Sequence, residues 1–182
     1  TTLKAISNLL RAERGEVTKG SIAFRGERVD QMNPAELVKR GVIQVMEGRH
    51  CFGHLTVEEN LNFFATIFGT TIEANYDLIK DIYGQIEPFK DRRAGKLSGG
   101  MKQKLALSCA LVHKPDVLFL DEPTTGVDPV SRKEFWEMLK RLKKENITIL
   151  VSTPYMDEAT RCDRIALIEE GQILAVDTPD SI

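Results

Sequence analysis

The sequence predicts an α/β fold in which a mostly parallel sheet is flanked by helices and carries an inserted helical subdomain. The apolar runs VLFLDEP (117–123) and ITILVST (147–153) have the composition of buried parallel strands. Between them, DPVSRKEFWEMLKRLKKEN (128–146) has helical spacing and opens with Asp128 as N-cap and proline at the first helical position. Strand, helix and strand in that order favour a parallel pair. Residues 47 to about 95 show helical patterns and few strand signals, which predicts the insertion.

The first 46 residues supply the beginning of the predicted core. TTLKAISNLL (1–10) has apolar residues at helical spacing and predicts a helix. SIAFRGERV (21–29) predicts a short strand with a glycine turn, and GVIQVM (41–46) predicts another strand. Between them, NPAELVKR (33–40) opens with asparagine and proline, a good N-cap followed by proline at the first helical position.

The remaining segments complete a single domain over residues 1–182. In the insertion, LTVEENLNFFATIFG (55–69) and ANYDLIKDIYGQIEPF (74–89) look helical. RIALIEEGQILAVD (164–177) predicts a hairpin that turns at Glu170, Gly171 and Gln172. We therefore expect an α/β core formed by residues 1–46 and 106–182, with the helical subdomain over residues 47–105.

Composition excludes several classes of function. The chain has 182 residues, 42% hydrophobic content and a net charge of −2, which leaves no basic footprint for nucleic acid. Its 3 cysteines are scattered and odd in number, which argues against a disulfide framework. No apolar run approaches the roughly 20 residues of a membrane span, and no His/Cys cluster suggests a metal site.

Two acids, Asp121 and Glu122, end the predicted buried strand in VLFLDEP. Ligands of open parallel sheets bind outside the carboxyl ends of the strands. A carboxylate there can hold Mg²⁺, and an adjacent one can orient an attacking water. An isolated acidic pair serves about as often to cap the next turn, but the apolar strand before it and PTTG after it favour the functional interpretation.

LSGGMKQKLALSCAL (97–111) is a more specific signal. Ser98 is a good N-cap, and Gly99 and Gly100 allow close approach of a ligand to the backbone. The helix that begins there would direct N–H groups at an anion. A plain capped helix is the usual meaning of SGG alone, but here the motif stands about twenty residues before the acidic strand end.

These motifs resemble those of the ATP-binding cassette (ABC) ATPases, and the resemblance covers essentially the whole chain. LSGGMKQK (97–104) looks like the family signature, VLFLDEP like its Walker B strand, and TTGVDP (124–129) like its D-loop. RIALIEEGQILAVDTP (164–179) is similar to the hairpin that comes after the family's switch strand. The resemblance implies a fold like that of the P-loop NTPases.

Different parts of the sequence resemble different branches of the family. Residues 14–42 and EGRHCFGHLTVEENL (47–61) are similar to ATPase subunits of branched-chain amino-acid importers. NFFATIFG (62–69) and the residues after it look more like ATPases of multidrug or polysaccharide exporters, with VSTPYMDEA (151–159) typical of them. The transported substrate and the direction of transport stay open.

The resemblance implies a role for individual residues. In the family, two ATPase domains enclose two ATP molecules, each bound by the phosphate loop of one domain and the signature of the other. Carried over, Glu122 is the general base or water-orienting group, and Asp121 supports Mg²⁺. The nucleotide-binding residues are then Ser98, Gly99, Gly100, Gln103, Glu47 and Asp128, the last at the dimer interface.

Two positions depart from the family pattern. A glutamine usually stands after the GVIQVM strand, but this chain has Glu47, which we interpret as a working variant; a solvated loop acid is the alternative. A histidine that binds the γ-phosphate usually stands after the ITILVST strand, but this chain has Pro154. Proline offers neither a side-chain donor nor an N–H. The alternative to an active ATPase is therefore a weakly hydrolysing regulatory cassette. Such a cassette would supply its signature motif to the ATP site of a partner.

The resemblance also implies partners and a location. We expect a second ATPase domain, identical or different, and membrane-spanning transporter subunits, with the protein cytoplasmic and peripheral on the inner face of the cell membrane. Phe63, Phe64 and Phe68 are candidates for the contact with the membrane subunit, although core packing is the commoner role of such aromatics. His50, His54 and His113 have the context of surface or loop residues.

The sequence contains no phosphate-binding loop of the form G-x-x-x-x-G-K-[ST]. Gly95 and Lys96 are followed by Leu97, and Gly53 is followed by His54. In relatives the loop runs into a helix of the type GKTTTLKAI, so we expect it to precede Thr1. We accordingly expect weak or no ATP binding by these 182 residues alone, and exposed sheet edges.

Overall fold

The computed structural model describes residues 2–10, 14–47 and 51–182, in two compact units, Thr1–Ser152 and Thr153–Ile182. The helices are α1 (Thr2–Ile6), α2 (Pro34–Lys39), α3 (Val57–Ile67), α4 (Tyr76–Tyr83), α5 (Gly99–Leu111), α6 (Pro129–Lys143) and α7 (Met156–Ala159). The strands are β1 (Ala23–Phe24), β2 (Glu27–Arg28), β3 (Val42–Val45), β4 (Val117–Asp121), β5 (Thr148–Ser152), β6 (Ile165–Glu169) and β7 (Gln172–Asp177).

A parallel sheet of three strands, in the order β3-β4-β5, lies at the centre of the first unit. Val42 pairs with Val117 and Val117 with Thr148, so the strands start level with one another. At the other end Asp121 pairs with Ser152. Because all three strands run the same way, their carboxyl ends share one edge of the sheet, and the predicted parallel α/β architecture is confirmed.

The central strand and its neighbour differ in burial. In β4, Leu118 and Leu120 are fully buried, as the apolar run VLFLDEP predicts. The prediction of a second buried strand is wrong for β5, since Leu150 is 44% exposed. Within the sheet that the described residues form, β5 pairs on one side only. An apolar run can have the same composition in a central strand and in an outer strand, so the sequence did not distinguish β4 from β5.

Helix α5 is the core helix of the first unit. It packs against α3, α4 and β3, and its buried residues lie all round it rather than in one stripe. On the sheet, Leu3 of α1 joins a buried apolar cluster with Val29, Leu37, Val42 and Phe119. The apolar sequence LALSCAL therefore reflects a helix enclosed by the other elements.

Two N-terminal elements are shorter than predicted. Helix α1 ends at Ile6 instead of running to Leu10, because Asn8 has a left-handed φ of 60°. The Asn8 side chain donates to the carbonyl oxygens of Val29 (2.7 Å) and Met32 (3.0 Å), which fixes this turn. The predicted strand 21–29 is a hairpin of β1 and β2, whose turn lies at the predicted glycine, Gly26.

Helices fill the predicted insertion: α3 and α4 follow each other, and no described residue between 51 and 105 belongs to a named strand. The predicted boundary at 105/106 falls inside α5, so the division into core and subdomain stays a prediction. None of the helices in the described ranges is long and apolar enough to span a bilayer.

In the second unit, β6 and β7 form the predicted antiparallel hairpin. Glu170 (φ 47°) and Gly171 (φ 80°) make its turn, while Gln172 already belongs to β7. Positive φ at both central residues is the geometry that matches the twist of a two-residue hairpin.

His113 makes stability depend on pH. Its ring stacks on Phe68 with centroids 3.8 Å apart, and burial lowers its pKa to about 4. It is therefore less of a surface residue than predicted, whereas His54 is exposed and His50 lies outside the described residues. An unfolded histidine titrates near pH 6.5. Between about pH 6.5 and pH 4 the unfolded chain therefore binds more protons than the folded one, and the free energy of unfolding decreases as pH falls through this range.

We expect the free energy of unfolding to decrease from pH 7 to pH 5 in the wild type, and His113→Phe to remove much of that decrease. Phenylalanine keeps an aromatic ring against Phe68 but cannot take up a proton. Urea denaturation at both pH values measures the effect, and His54→Phe is the exposed control. An equal loss of stability in wild type and His113→Phe would contradict this assignment.

Candidate functional site

The carboxyl ends of β4 and β5 bring the acidic pair to one serine. The Ser152 hydroxyl donates to Oδ1 of Asp121 at 2.7 Å. The Ser152 hydroxyl oxygen accepts from the backbone N–H of Glu122 at 3.1 Å, and that N–H also reaches the Ser152 carbonyl oxygen at 3.1 Å. One hydroxyl thus contacts both predicted functional residues, the side chain of the first and the backbone of the second.

Glu122 is held in an unusual backbone conformation. Its φ of 43° lies in the left-handed region, which costs a non-glycine residue on the order of 1–3 kcal/mol. Thr125 anchors the other side: its N–H donates to the Glu122 carbonyl oxygen and its hydroxyl donates to Oε2 of Glu122, both at 3.2 Å. The carboxylate is therefore directed by contacts at the backbone N–H, the carbonyl and the side chain.

The start of α5 has the predicted capped geometry. The Ser98 hydroxyl accepts from the N–H of Met101 at 3.3 Å, so the side chain satisfies one donor of the first turn. Ser98 and Gly99 are exposed and Gly100 is half-buried. Among the described residues, a Cβ added to Gly100 would meet the Ser131 hydroxyl oxygen at 3.9 Å, an ordinary contact. Packing against the described part of the chain therefore does not require glycine at this position.

Gln103, one turn into α5, faces the core. The residue is 6% exposed, and its side-chain N–H donates to the carbonyl oxygen of Pro123. This bond ties the signature helix to the loop that carries Glu122. The predicted nucleotide contact of Gln103 stays a prediction, since its amide nitrogen bonds within the chain here.

Asp128 caps α6, as the sequence predicts. Its Oδ1 accepts from the N–H groups of Val130 (3.1 Å) and Ser131 (3.0 Å). These bonds, chiefly the one from Ser131, lower the pKa of Asp128. Since the Cβ position of Gly100 lies beside Ser131, the capped starts of α5 and α6 are neighbours.

The two atypical positions lie after strands. Glu47 is exposed, two residues beyond the end of β3, and its contact with nucleotide stays a prediction. Pro154 is exposed in the second unit, between Thr153 and Tyr155. The Thr153 hydroxyl donates to the buried Glu158 at 2.6 Å and accepts from the N–H of Tyr155 at 3.1 Å. The backbone around Pro154 is therefore held by its neighbours.

Three aromatic residues form a partly exposed cluster, here called the aromatic triad: Phe52, Phe63 and Phe64. The Phe52 and Phe63 ring centroids are 4.8 Å apart, and these residues are 38% and 40% exposed. Asn60, fully buried, fixes the triad, because its amide exchanges two hydrogen bonds with the backbone of Phe52. Phe68, predicted to belong with Phe63 and Phe64, stacks on His113 instead.

The donor set near Asp121 suits Mg²⁺. This ion keeps most of its waters and takes one or two protein carboxylates together with phosphate oxygens. Asp121 offers a half-buried carboxylate with one oxygen oriented by Ser152. No group of three or more acidic, histidine or cysteine side chains arranged for a metal occurs within the described ranges.

Sequence reasoning located the acidic pair and both helix caps but missed Ser152, Thr125 and the Asn60–Phe52 contact. The contact of Asn60 could have been suspected from the sequence, because Asn60 is a polar residue between Val57 and Leu61 on the apolar face of a predicted helix. Nothing in the sequence indicates the role of Ser152, because that role depends on its pairing with Asp121 of a neighbouring strand.

Comparison with solved structures shows the fold. The ATP-binding cassette MJ0796, in a dimeric post-hydrolysis state bound to ADP and Pi, matches with a TM-score of 0.81 and 22% identity over 98% of this chain and 79% of that one. The cassette MJ1267 of an ABC transporter matches with a TM-score of 0.82 and 22% identity over 99% of this chain and 76% of that one.

Sequence comparison finds closer relatives. A probable multidrug ABC transporter ATP-binding protein, YbhF of Escherichia coli, is 42% identical over 134 residues, 72% of this chain and 23% of that protein. The Nod factor export ATP-binding protein I of Burkholderia lata is 39% identical over 185 aligned residues, 100% of this chain and 59% of that protein. The chain thus spans less than two thirds of each of these relatives. The family model for ABC transporters matches residues 1–125, and the chain belongs to the ABC transporter family.

Proposed function

We propose that this chain is part of an ATPase that energises a membrane transporter, and that Asp121 and Glu122 carry its chemistry. The observation that carries the proposal is the arrangement at the end of β4, where Ser152 contacts both residues and Thr125 directs the Glu122 carboxylate. ABC family membership supports ATP as the substrate.

The reaction is in-line transfer of the γ-phosphoryl group of ATP to water, in which positioning and electrostatics dominate. Glu122 accepts the proton of the attacking water, and its contact with Thr125 sets the direction of the carboxylate. Asp121 is the residue that would hold Mg²⁺, which when bound neutralises charge on the phosphate oxygens. Hydrogen bonds with Ser152 and Thr125 hold the left-handed Glu122 backbone, and with it the base, at the strand end.

The second part of the site is the capped start of α5. Ser98, Gly99 and Gly100 would meet the γ-phosphate of ATP held by a second cassette, with Asp128 at the interface between the two domains. Exposure of Ser98, Gly99 and Asp128 supports this assignment, as does the positive end of the α5 dipole. A bond from Gln103 to Pro123 would connect this contact to the chain's own catalytic loop.

The aromatic triad is the proposed contact with a membrane-spanning subunit, and a position on the cytoplasmic face of the membrane belongs to the same proposal. Phe52, which lies a few residues beyond Glu47 in the sequence, and Phe63 expose apolar rings. The names of the relatives refer to a multidrug transporter and to Nod factor export, and the second supports an exporter.

The alternative function is a weakly hydrolysing regulatory cassette, and Pro154 is the observation that favours it. Proline can donate no hydrogen bond to phosphate. The intact Asp121–Glu122 pair favours the active enzyme.

Mg²⁺-dependent ATP hydrolysis by the full-length protein, assembled with its membrane subunits, distinguishes the active ATPase from the regulatory cassette. If the site is weakened by proline, Pro154→His raises kcat by about tenfold, the effect of one added charge-assisted hydrogen bond. Pro154→Ala, which restores an N–H but no side-chain donor, is the control. Fast hydrolysis by the wild type without a gain in Pro154→His contradicts the regulatory cassette.

A further inference from the structure

We propose that Ser152 is a positioning residue for ATP hydrolysis, which sets the Asp121 carboxylate and the Glu122 backbone together through its one hydroxyl group. This inference rests on the proposed function, since it assigns a role to Ser152 in the same site.

The Ser152 hydroxyl donates to one member of the acidic pair and accepts from the other. Its proton goes to Oδ1 of Asp121 at 2.7 Å, and its oxygen accepts the N–H of Glu122 at 3.1 Å. The first bond is charge-assisted and therefore among the stronger kinds. It orients the carboxylate by one oxygen and leaves the second oxygen to a ligand.

The second bond bears on backbone strain. Glu122 has φ 43°, a conformation that persists only when its surroundings over-determine it. The Glu122 N–H is shared between the hydroxyl and the carbonyl oxygen of Ser152. The carbonyl contact is available to any residue at position 152, but the hydroxyl contact requires serine or threonine. The hydroxyl therefore contributes specifically to holding Glu122 in the left-handed conformation.

The parallel register explains how one side chain reaches both groups. Asp121 and Ser152 are paired residues of β4 and β5, so their side chains leave the sheet on the same face. Glu122 is the next residue of the chain, with its N–H directed at the end of β5. A displacement of this strand end would move the metal-binding carboxylate and the base at the same time.

The test compares Ser152→Val with Ser152→Thr, because valine and threonine have the same shape and differ by the hydroxyl. In the full-length assembled protein we expect Ser152→Val to lower kcat about 10- to 100-fold with little change in the KM for ATP, and to raise the Mg²⁺ concentration for half-maximal activity. Ser152→Thr should retain most of the wild-type kcat. Thr148→Val, on an exposed residue of the same strand, is the control.

Amide hydrogen exchange without nucleotide gives a readout independent of turnover. We expect the segment 118–126 to exchange about tenfold faster in Ser152→Val than in Ser152→Thr. Equal kcat, Mg²⁺ dependence and exchange in the two variants would overturn the proposal, as would an equal loss in both. If Ser152→Val does not fold, Ser152→Ala replaces it. A wild type no faster than Glu122→Gln would overturn the proposed function itself, whereas a fast wild type with an unaffected Ser152→Val overturns only the role of Ser152.

Discussion

Glu122→Gln is expected to lower kcat for ATP hydrolysis by about 10²–10⁴-fold in the full-length protein while leaving ATP bound, because glutamine cannot accept the proton of the attacking water. The substitution keeps the shape of the side chain, and the Thr125 hydroxyl still has an oxygen to donate to. Removing a negative charge beside the triphosphate should make nucleotide binding no weaker. The measurements are steady-state hydrolysis and retention of labelled ATP.

A matched control for this variant is Glu145→Gln, which removes the same charge from an exposed position beyond the end of α6. We expect no change in kcat there. Turnover near the wild-type rate in Glu122→Gln would contradict the assignment of Glu122, whatever the result for binding.

Gly100→Ala is expected to stabilise the fold slightly and to impair hydrolysis strongly. Within the part of the chain that the structure describes, an added Cβ meets the Ser131 hydroxyl oxygen at 3.9 Å, so alanine fits. Alanine in a helix interior is more favourable than glycine by about 0.5–1 kcal/mol, and since Gly100 is the second residue of α5 we expect a gain at the lower end of this range. The same methyl group would stand between the start of α5 and a phosphate, and a misplacement of about 1 Å can cost on the order of 10²-fold in rate.

Urea denaturation and ATP hydrolysis measured on the same preparation separate these opposite effects. Gly15→Ala is the control glycine, since the nearest described atom to its added Cβ is the carbonyl oxygen of Leu10 at 3.4 Å, and we expect it to leave kcat unchanged. Loss of both stability and activity in Gly100→Ala would show that the glycine serves packing, and would remove the case for an external ligand.

Much of the fold was predictable because its signals are local. The N-caps Asn33, Ser98 and Asp128 were predicted from residue type and position, and each accepts a hydrogen bond from its own helix. The β6–β7 hairpin was predicted from apolar runs around a glycine. These interactions join residues two or three apart or on either side of a short turn, so a short stretch of sequence contains both partners.

Burial was predicted less well than secondary structure. Strand β5 has an apolar sequence like β4, yet Leu150 is 44% exposed whereas Leu120 is 1% exposed. Helix α1 ends at Ile6 because Asn8 bonds to the backbone at residues 29 and 32. Both outcomes depend on what lies beside the segment in space, and composition does not record that.

The candidate site shows the same division. By itself the sequence determined that Asp121 and Glu122 stand at the end of a buried strand and that Ser98 caps a helix. An apolar strand run and a helix cap are both properties of short segments. Only the tertiary structure decided that Ser152 stands opposite Asp121, that Gln103 reaches Pro123 and that Asn60 holds Phe52. The physical reason is that strand register and helix packing join residues 31 and 20 positions apart along the chain, and these pairings are set by the cooperative burial of the whole core rather than by any local preference.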